Sequence, residues 1–172
     1  MPKYAHHTFK DGGIALWRIE ETSGELYSLL HTHRYDEALS VIHNEARRAE
    51  WLAVRVILSY VLGADKTIGY RESGAPYLTD DSYYISISHT KGYAVLAYHQ
   101  SDEPIGIDIQ QVRVLHESMA NRILHENEKR QIGSLYEEEE KQRYLNRIWT
   151  MKESFVKMTG EGLSHDFRNL CI

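Results

Sequence analysis

Apolar residues along this chain of 172 residues recur at two spacings, and the spacings mark out strands and helices. Ile14 to Ile19 (IALWRI) is a short apolar run after Gly12-Gly13 and predicts a buried strand. Ser23 to Leu30 predicts a helix with Glu25 in its first turn, where a carboxylate faces the helix dipole favourably. Tyr35 to His43 predicts another short helix. Asn44 to Leu62 is the strongest helical pattern of the first half. Leu52, Val56 and Tyr60 form one i, i+4 row, Ala49, Ile57 and Val61 lie close to it, and Gly63 suits the end. Arg47, Arg48 and Arg55 fall on its less apolar faces.

Gly74-Ala75-Pro76 reads as a turn with an extended exit. Tyr83 to Ser88 (YYISIS) and Tyr93 to Tyr98 (YAVLAY) are β-branched and aromatic. They flank the turn residues His89-Thr90-Lys91-Gly92 and predict a β-hairpin. Ser101 to Pro104 is a polar loop and the natural boundary between two halves, 1–103 and 104–172. Ile105 to Ile109 (IGIDI) predicts a further strand, and Ser118 to Ile132 a helix with Met119, Ile123 and Leu124 inward. Glu137 to Thr159 predicts a long helix with a stripe of Tyr144, Ile148, Met151, Phe155 and Met158, stopped by Gly160 and Gly162. Phe167 to Ile172 (FRNLCI) predicts a last strand. Each half reads strand, helices, then strand or turn. That gives an α+β class and leaves a duplicated unit open.

Composition narrows the classes. A hydrophobic fraction of 42% with 26% charged residues is that of an ordinary globular protein. The net charge of −5 gives no whole-molecule field for nucleic acid. The single cysteine, Cys171, cannot form an internal bridge, which fits a reducing compartment. The N-terminal stretch lacks the apolar core of a signal peptide, and no run reaches the roughly 20 apolar residues of a membrane span. A cytoplasmic protein without a membrane partner is the expectation.

Few residues suggest chemistry on their own. Asp108 interrupts an apolar strand pattern and shares a strand face with Gln110. It is either an acid facing solvent or part of a hard-cation site, since carboxylate and amide oxygens suit Mg²⁺. Glu153 and Lys157 stand at i, i+4, the spacing of a common surface pair that stabilises by only about 0.2–0.5 kcal/mol. Ser88 and His89 sit at a strand end, where hydroxyl, imidazole and backbone N–H groups can hold phosphate. Zinc-ligand spacing, a Walker A sequence, G-x-G-x-x-G and G-x-S-x-G are all absent from the sequence.

Four segments together are more specific: RRAEWLAVR (Arg47 to Arg55), ESGAPYL with YYISISHTKGYAVLAY (Glu72 to Tyr98), PIGIDIQ (Pro104 to Gln110) and WTMKESFVKMTGEGL (Trp149 to Leu163). In order and spacing they resemble the surfactin-synthetase-activating type of 4′-phosphopantetheinyl transferase, over roughly residues 44–165. The G-I-D-I strand followed by W-x-x-K-E-x-x-x-K is the specific part. The resemblance implies a pseudo-twofold pair of similar α+β halves with coenzyme A in the cleft between them. The second half would be shortened at its C-terminal end.

The resemblance also implies roles. Asp108, Glu153 and Gln110 would hold Mg²⁺, and Lys157 would lie over the diphosphate of coenzyme A. Ser88 and His89 would contact phosphate, Arg47 with Arg48 beside it would meet the 3′-phosphate, and Gly74, Ala75 and Pro76 would lie against adenine. Catalysis would rest on Glu153, Asp108 and Lys157, with Glu153 as base toward the carrier serine. Two positions depart from the family: Gln110 stands where the bacterial prototype has a second acid, and Ala75 where a lysine is frequent. The implied partner is an acidic acyl or peptidyl carrier protein, docking near Arg113, Leu115, Met119 and Arg122. A catalytically silent coenzyme A-binding protein of the same fold is the alternative. The apolar final strand, with Leu170 and Ile172, would leave an open edge through which the chain forms a homo-oligomer.

Overall fold

A computed structural model describes residues 4–100, 103–160 and 166–172. The fold is α+β. Its larger core lies where β2 (Gly12–Arg18), β5 (Tyr84–Thr90) and β6 (Tyr93–His99) meet helix α3 (Glu45–Leu62). Strand alternation explains this packing. Ala15 and Trp17 pair with Leu96 and Ala94 and point to one face, against Leu52, Ala53, Val56 and Ile57 of α3. Asn44 caps α3, accepting from Arg47 N at 3.0 Å, and Gly63 at φ 110° ends it. Helix α1 (Ser23–Leu29) opens with a capping box between Thr22 and Glu25, and α2 (Asp36–Ser40) follows.

The first half departs from the expectations at several points. Strand β1 (Tyr4–Phe9) was not legible, because YAHHTF is polar and mostly exposed. It exists as the edge partner of β2, giving an antiparallel sheet of order β1-β2-β6-β5. The hairpin turn is only Lys91-Gly92, with Gly92 at φ 78°, so His89 and Thr90 belong to β5. Tyr60 is exposed at the end of its row and meets Trp17 and Tyr4 edge-on. Arg55 is buried, its guanidinium 3.1 Å from the centroid of the Trp51 ring. A small ribbon, β3 (Ile68–Tyr70) with β4 (Pro76–Leu78), frames the turn at Gly74, whose φ of 82° a side chain would disfavour.

The second half differs more. Among the described residues the segment from Ile105 to Ile109 joins no backbone ladder. It runs beside β5 and is held by serine hydroxyls: Ile107 N donates to Ser86 Oγ at 3.0 Å and Ile109 N to Ser88 Oγ at 3.3 Å. Gly106 lets it cross the long helix, since a Cβ there would fall 1.9 Å from Ser154 O. The single helix expected over 118–132 is two, α4 (Glu117–Ile123) and α5 (Glu126–Gly133). Leu124 is extended, and His125 with Glu128 forms a capping box that starts α5 anew.

Helix α6 (Glu138–Thr159) ends at Gly160 in the left-handed region, φ 72°. Its buried residues are Leu145, Asn146, Ile148, Lys152 and Val156, and Met151 is exposed, so the packed stripe is rotated from the one expected. Gly162, Leu163 and the loop residues Ser101 and Asp102 lie outside the described residues. Phe167–Asn169 is a 3₁₀ turn, not a strand. Asp166 caps it, and Phe167 packs edge-on to Trp149 with ring centroids 5.3 Å apart. The strand edge proposed for self-association is therefore missing. Among the described residues every strand precedes residue 100, so the second half does not repeat the first as a hydrogen-bonded sheet. Its own core gathers Leu115, Ile123, Leu124, Leu145, Ile148, Val156 and Phe167.

Candidate active site at the junction of the halves

Strand alternation separates Ser88 from His89, although they adjoin in sequence. Ser88 faces the second half. It donates to Asp108 Oδ1 at 2.8 Å and accepts from Lys157 Nζ at 2.9 Å. Lys157 also donates to Asp108 Oδ1 at 2.7 Å, and Gln110 Nε2 donates to Asp108 Oδ2 at 3.2 Å. The Asp108 side chain is only 6% exposed, which excludes the solvent-facing acid. Its shared face with Gln110 is as expected. Lys157, 31% exposed, turns to Asp108 and Ser88, so the i, i+4 surface pair with Glu153 does not form.

Glu153 is half-buried. Among the described residues its carboxylate has charge interactions only, with Asp108 and Lys157. Burial, and then the nearby Asp108 charge, hold it above the usual carboxylate range; Lys157 offsets this in part. Two carboxylates facing one another with the amide of Gln110 alongside form a hard-oxygen donor set, and a divalent cation between them would relieve both the repulsion and the desolvation. Among the described residues no cluster of three Asp, Glu, His or Cys forms here, so a cation would need amide or outside oxygens as well.

His89 points to the other face, toward α3. Its Nδ1 lies 3.2 Å from Glu50 Oε2. Glu50 escaped the sequence reading; the available signal was its position three residues after Arg47 on the same helix face. Three clefts adjoin here. One, of about 530 Å³, is lined by Ser88, His89, Asp108, Gln110, Arg113 and Lys157. A second, of about 540 Å³, is lined by Ala75, Pro76, Tyr83, Tyr84, Lys157 and Met158. The third, of about 330 Å³, is lined by Arg47, Glu50, Arg55, Gly74, Pro76 and His89. Lys157, Pro76, His89 and Ile87 are the shared walls. Arg48 lines none of the three, its Nε being buried without a partner, whereas Arg55, unforeseen, lines the third. Of the expected docking residues, Leu115 is a core residue and cannot meet a partner, while Arg113 and Arg122 are exposed and Met119 half-buried.

Comparison with known proteins bears on this arrangement. The chain is 31% identical over 152 residues to the 4′-phosphopantetheinyl transferase ffp of Bacillus subtilis, covering 84% of this chain and 66% of that protein. It is 29% identical over 181 residues to the 4′-phosphopantetheinyl transferase HetI of Nostoc, covering 95% and 76%. To Sfp of Bacillus subtilis it is 27% identical over 153 residues, covering 84% and 66%. The chain thus spans about two thirds of the length of both Bacillus relatives. The family model of the 4′-phosphopantetheinyl transferase superfamily matches residues 104–172, the stretch that supplies Asp108, Gln110, Glu153 and Lys157. With relatives aligned across both halves and the family pattern on the half that bears the acids, the chain belongs to the 4′-phosphopantetheinyl transferase superfamily.

Proposed function

We propose that the protein transfers the 4′-phosphopantetheine group of coenzyme A to a serine of an acidic acyl or peptidyl carrier protein, with Mg²⁺, releasing 3′,5′-ADP. The observation that carries this is the run of three clefts sharing Lys157, His89 and Pro76 as walls. A long ligand with phosphates at its middle and at one end suits such a run. Cationic Lys157 stands at one junction and His89, near Arg47, at another. The turn from Gly74 to Pro76 offers backbone to a flat base.

The residues present fit Mg²⁺ through Asp108, Glu153 and the amide oxygen of Gln110, whose nitrogen is already engaged by Asp108. When bound, that ion would neutralise charge on the diphosphate. Asp108, fixed by Ser88, Gln110 and Lys157, is the rigid acid. Lys157 holds a donor where charge develops on the transferring phosphoryl group. Glu153 is the base for the carrier serine: burial and the Asp108 charge raise its affinity for a proton, the direction that strengthens a carboxylate base. The phosphorus–oxygen bond to the serine forms as that to 3′,5′-ADP breaks. His89 and Arg47 bind the 3′-phosphate in this scheme, and Arg113 and Arg122 are the exposed cations available to the carrier.

Incubation with coenzyme A, Mg²⁺ and an apo-carrier protein, followed by mass measurement of the carrier, tests the proposal. A carrier heavier by one phosphopantetheine is expected. Release of phosphopantetheine without addition would mean hydrolysis, and coenzyme A bound but unchanged would mean a silent binder; either overturns it.

A further inference from the structure

Glu153 has no hydrogen-bonded support from the described residues, so its position depends on how α6 is held. One face of α6 is fixed by the segment after Asp108. Asn146 Oδ1 accepts from Arg113 N at 3.2 Å, and Gln142 Oε1 from Leu115 N at 2.8 Å. The opposite anchor is Lys152, the residue before Glu153. Its side chain is 0% exposed and that of Glu128 is 1% exposed. Lys152 Nζ donates to Glu128 Oε2 at 2.6 Å, to Ile123 O at 2.6 Å and to Phe167 O at 2.9 Å. All three ammonium donors are therefore used. Glu128 also accepts from His125 N at 2.8 Å and from Ile172 N at 3.0 Å.

One buried ion pair thus joins the end of α4, the start of α5, α6 and the 3₁₀ segment. Burying two charges carries a large desolvation cost, and apolar residues of similar volume often serve stability as well or better. What the pair adds is direction. Successive side chains on a helix stand about 100° apart. With Lys152 tied to three fixed oxygens in the second-half core, α6 cannot turn about its axis, and Glu153 is held within charge range of Asp108.

We infer that Lys152, through Glu128, is a positioning residue for Glu153 and so for the metal site. This rests on the functional reading given above. The test uses the full chain and two variants. Lys152→Met with Glu128→Gln removes both buried charges and keeps an oxygen for His125 N; Glu128→Gln alone leaves Lys152 its three oxygen partners, and so disturbs the tie to α6 less, at the cost of an uncompensated buried charge. Each is checked for a thermal transition. Each is then titrated by calorimetry with coenzyme A, and with Mg²⁺ in the presence of coenzyme A, and assayed for transfer. Coenzyme A affinity in the absence of Mg²⁺ is expected to stay within about threefold, because the first-half cleft walls are untouched. Mg²⁺ affinity is expected to fall about tenfold in the double variant and less in the single one, with kcat falling in parallel and KM for coenzyme A unchanged. Folded variants that bind Mg²⁺ as tightly as the unaltered chain overturn the inference. So does loss of folding in both variants, since the pair would then hold the fold and not aim Glu153. An unaltered chain that binds no Mg²⁺ with coenzyme A overturns the functional reading together with the inference. A failure confined to the variants falls on the inference alone.

Discussion

Lys152 and Lys157 lie on the same helix and each reaches a carboxylate, yet the two pairs stand in opposite surroundings. Lys152 and Glu128 are sealed, 0% and 1% exposed, and every donor of the ammonium is taken by a fixed oxygen. Lys157 and Asp108 are 31% and 6% exposed and open onto two clefts. Distances of 2.6 and 2.7 Å do not separate them. Access to water does. A sealed pair cannot exchange partners without leaving a bare charge in the core. A pair at a cleft wall can, because water or an incoming phosphate can take the ammonium, and water or a cation the carboxylate. Equal geometry therefore gives one lysine to the architecture and leaves the other for chemistry.

The strongest way to break that contrast is to remove each lysine in turn. Lys152→Met should lower the unfolding free energy by about 3–5 kcal/mol, leaving Glu128 charged and buried. Lys157→Met should cost clearly less, because its cleft admits water. Urea unfolding of both variants reads the difference, and equal losses would erase the distinction.

The open site should be costly in activity and cheap in stability. Glu153→Gln and Asp108→Asn are each expected to lower turnover at least about 100-fold, since electrostatics dominate such sites. Steady-state assays at saturating Mg²⁺ check this, and near-normal turnover in either variant would remove that residue from the catalytic scheme. Stability sharpens the same point. Because the Glu153 carboxyl is held above its usual range when folded, its contribution is fully present below the ordinary carboxylate pKa of about 4.3 and is lost as pH rises through the folded value. Without Mg²⁺, Glu153→Gln should remove that loss and raise Tm at neutral pH but not in acid. Melting curves across pH in both proteins would show it; parallel curves would refute it.

A smaller effect concerns the anion cleft. Charge-assisted phosphate contacts contribute about 1.5–3 kcal/mol each. Arg47→Ala with His89→Ala should therefore erase most of the preference for coenzyme A over dephospho-coenzyme A, measured as a ratio of kcat/KM. Equal loss with both substrates would assign these residues to the fold. The smallest change is expected from Gln110→Glu, which adds a negative oxygen beside Asp108. It should lower the Mg²⁺ concentration for half-maximal rate, and an unchanged requirement would turn Gln110 away from the metal.

Local elements were largely legible. Asn44 and Gly63 bound α3, Gly160 stops α6, and YYISIS with YAVLAY forms the hairpin, because caps, turn glycines and period-two alternation act within a few residues. The polar strand β1 was not legible, because a strand this exposed exists only through its partner β2. The IGIDI segment looked like a strand by composition, yet among the described residues its amides donate to Ser86 and Ser88 hydroxyls and not to a ladder.

The site divides the same way. The sequence by itself determined that Asp108 and Gln110 share a side, that Glu153 and Lys157 lie one turn apart, and that Ser88 lies in the first strand of a hairpin. These follow from covalent spacing and backbone period. Only the tertiary structure decided partners. It turned Lys157 from Glu153 to Asp108, gave His89 to Glu50, and buried Lys152 against Glu128. Those choices depend on how much water each group loses when the halves close, and desolvation is a property of the packed molecule that no stretch of sequence carries alone.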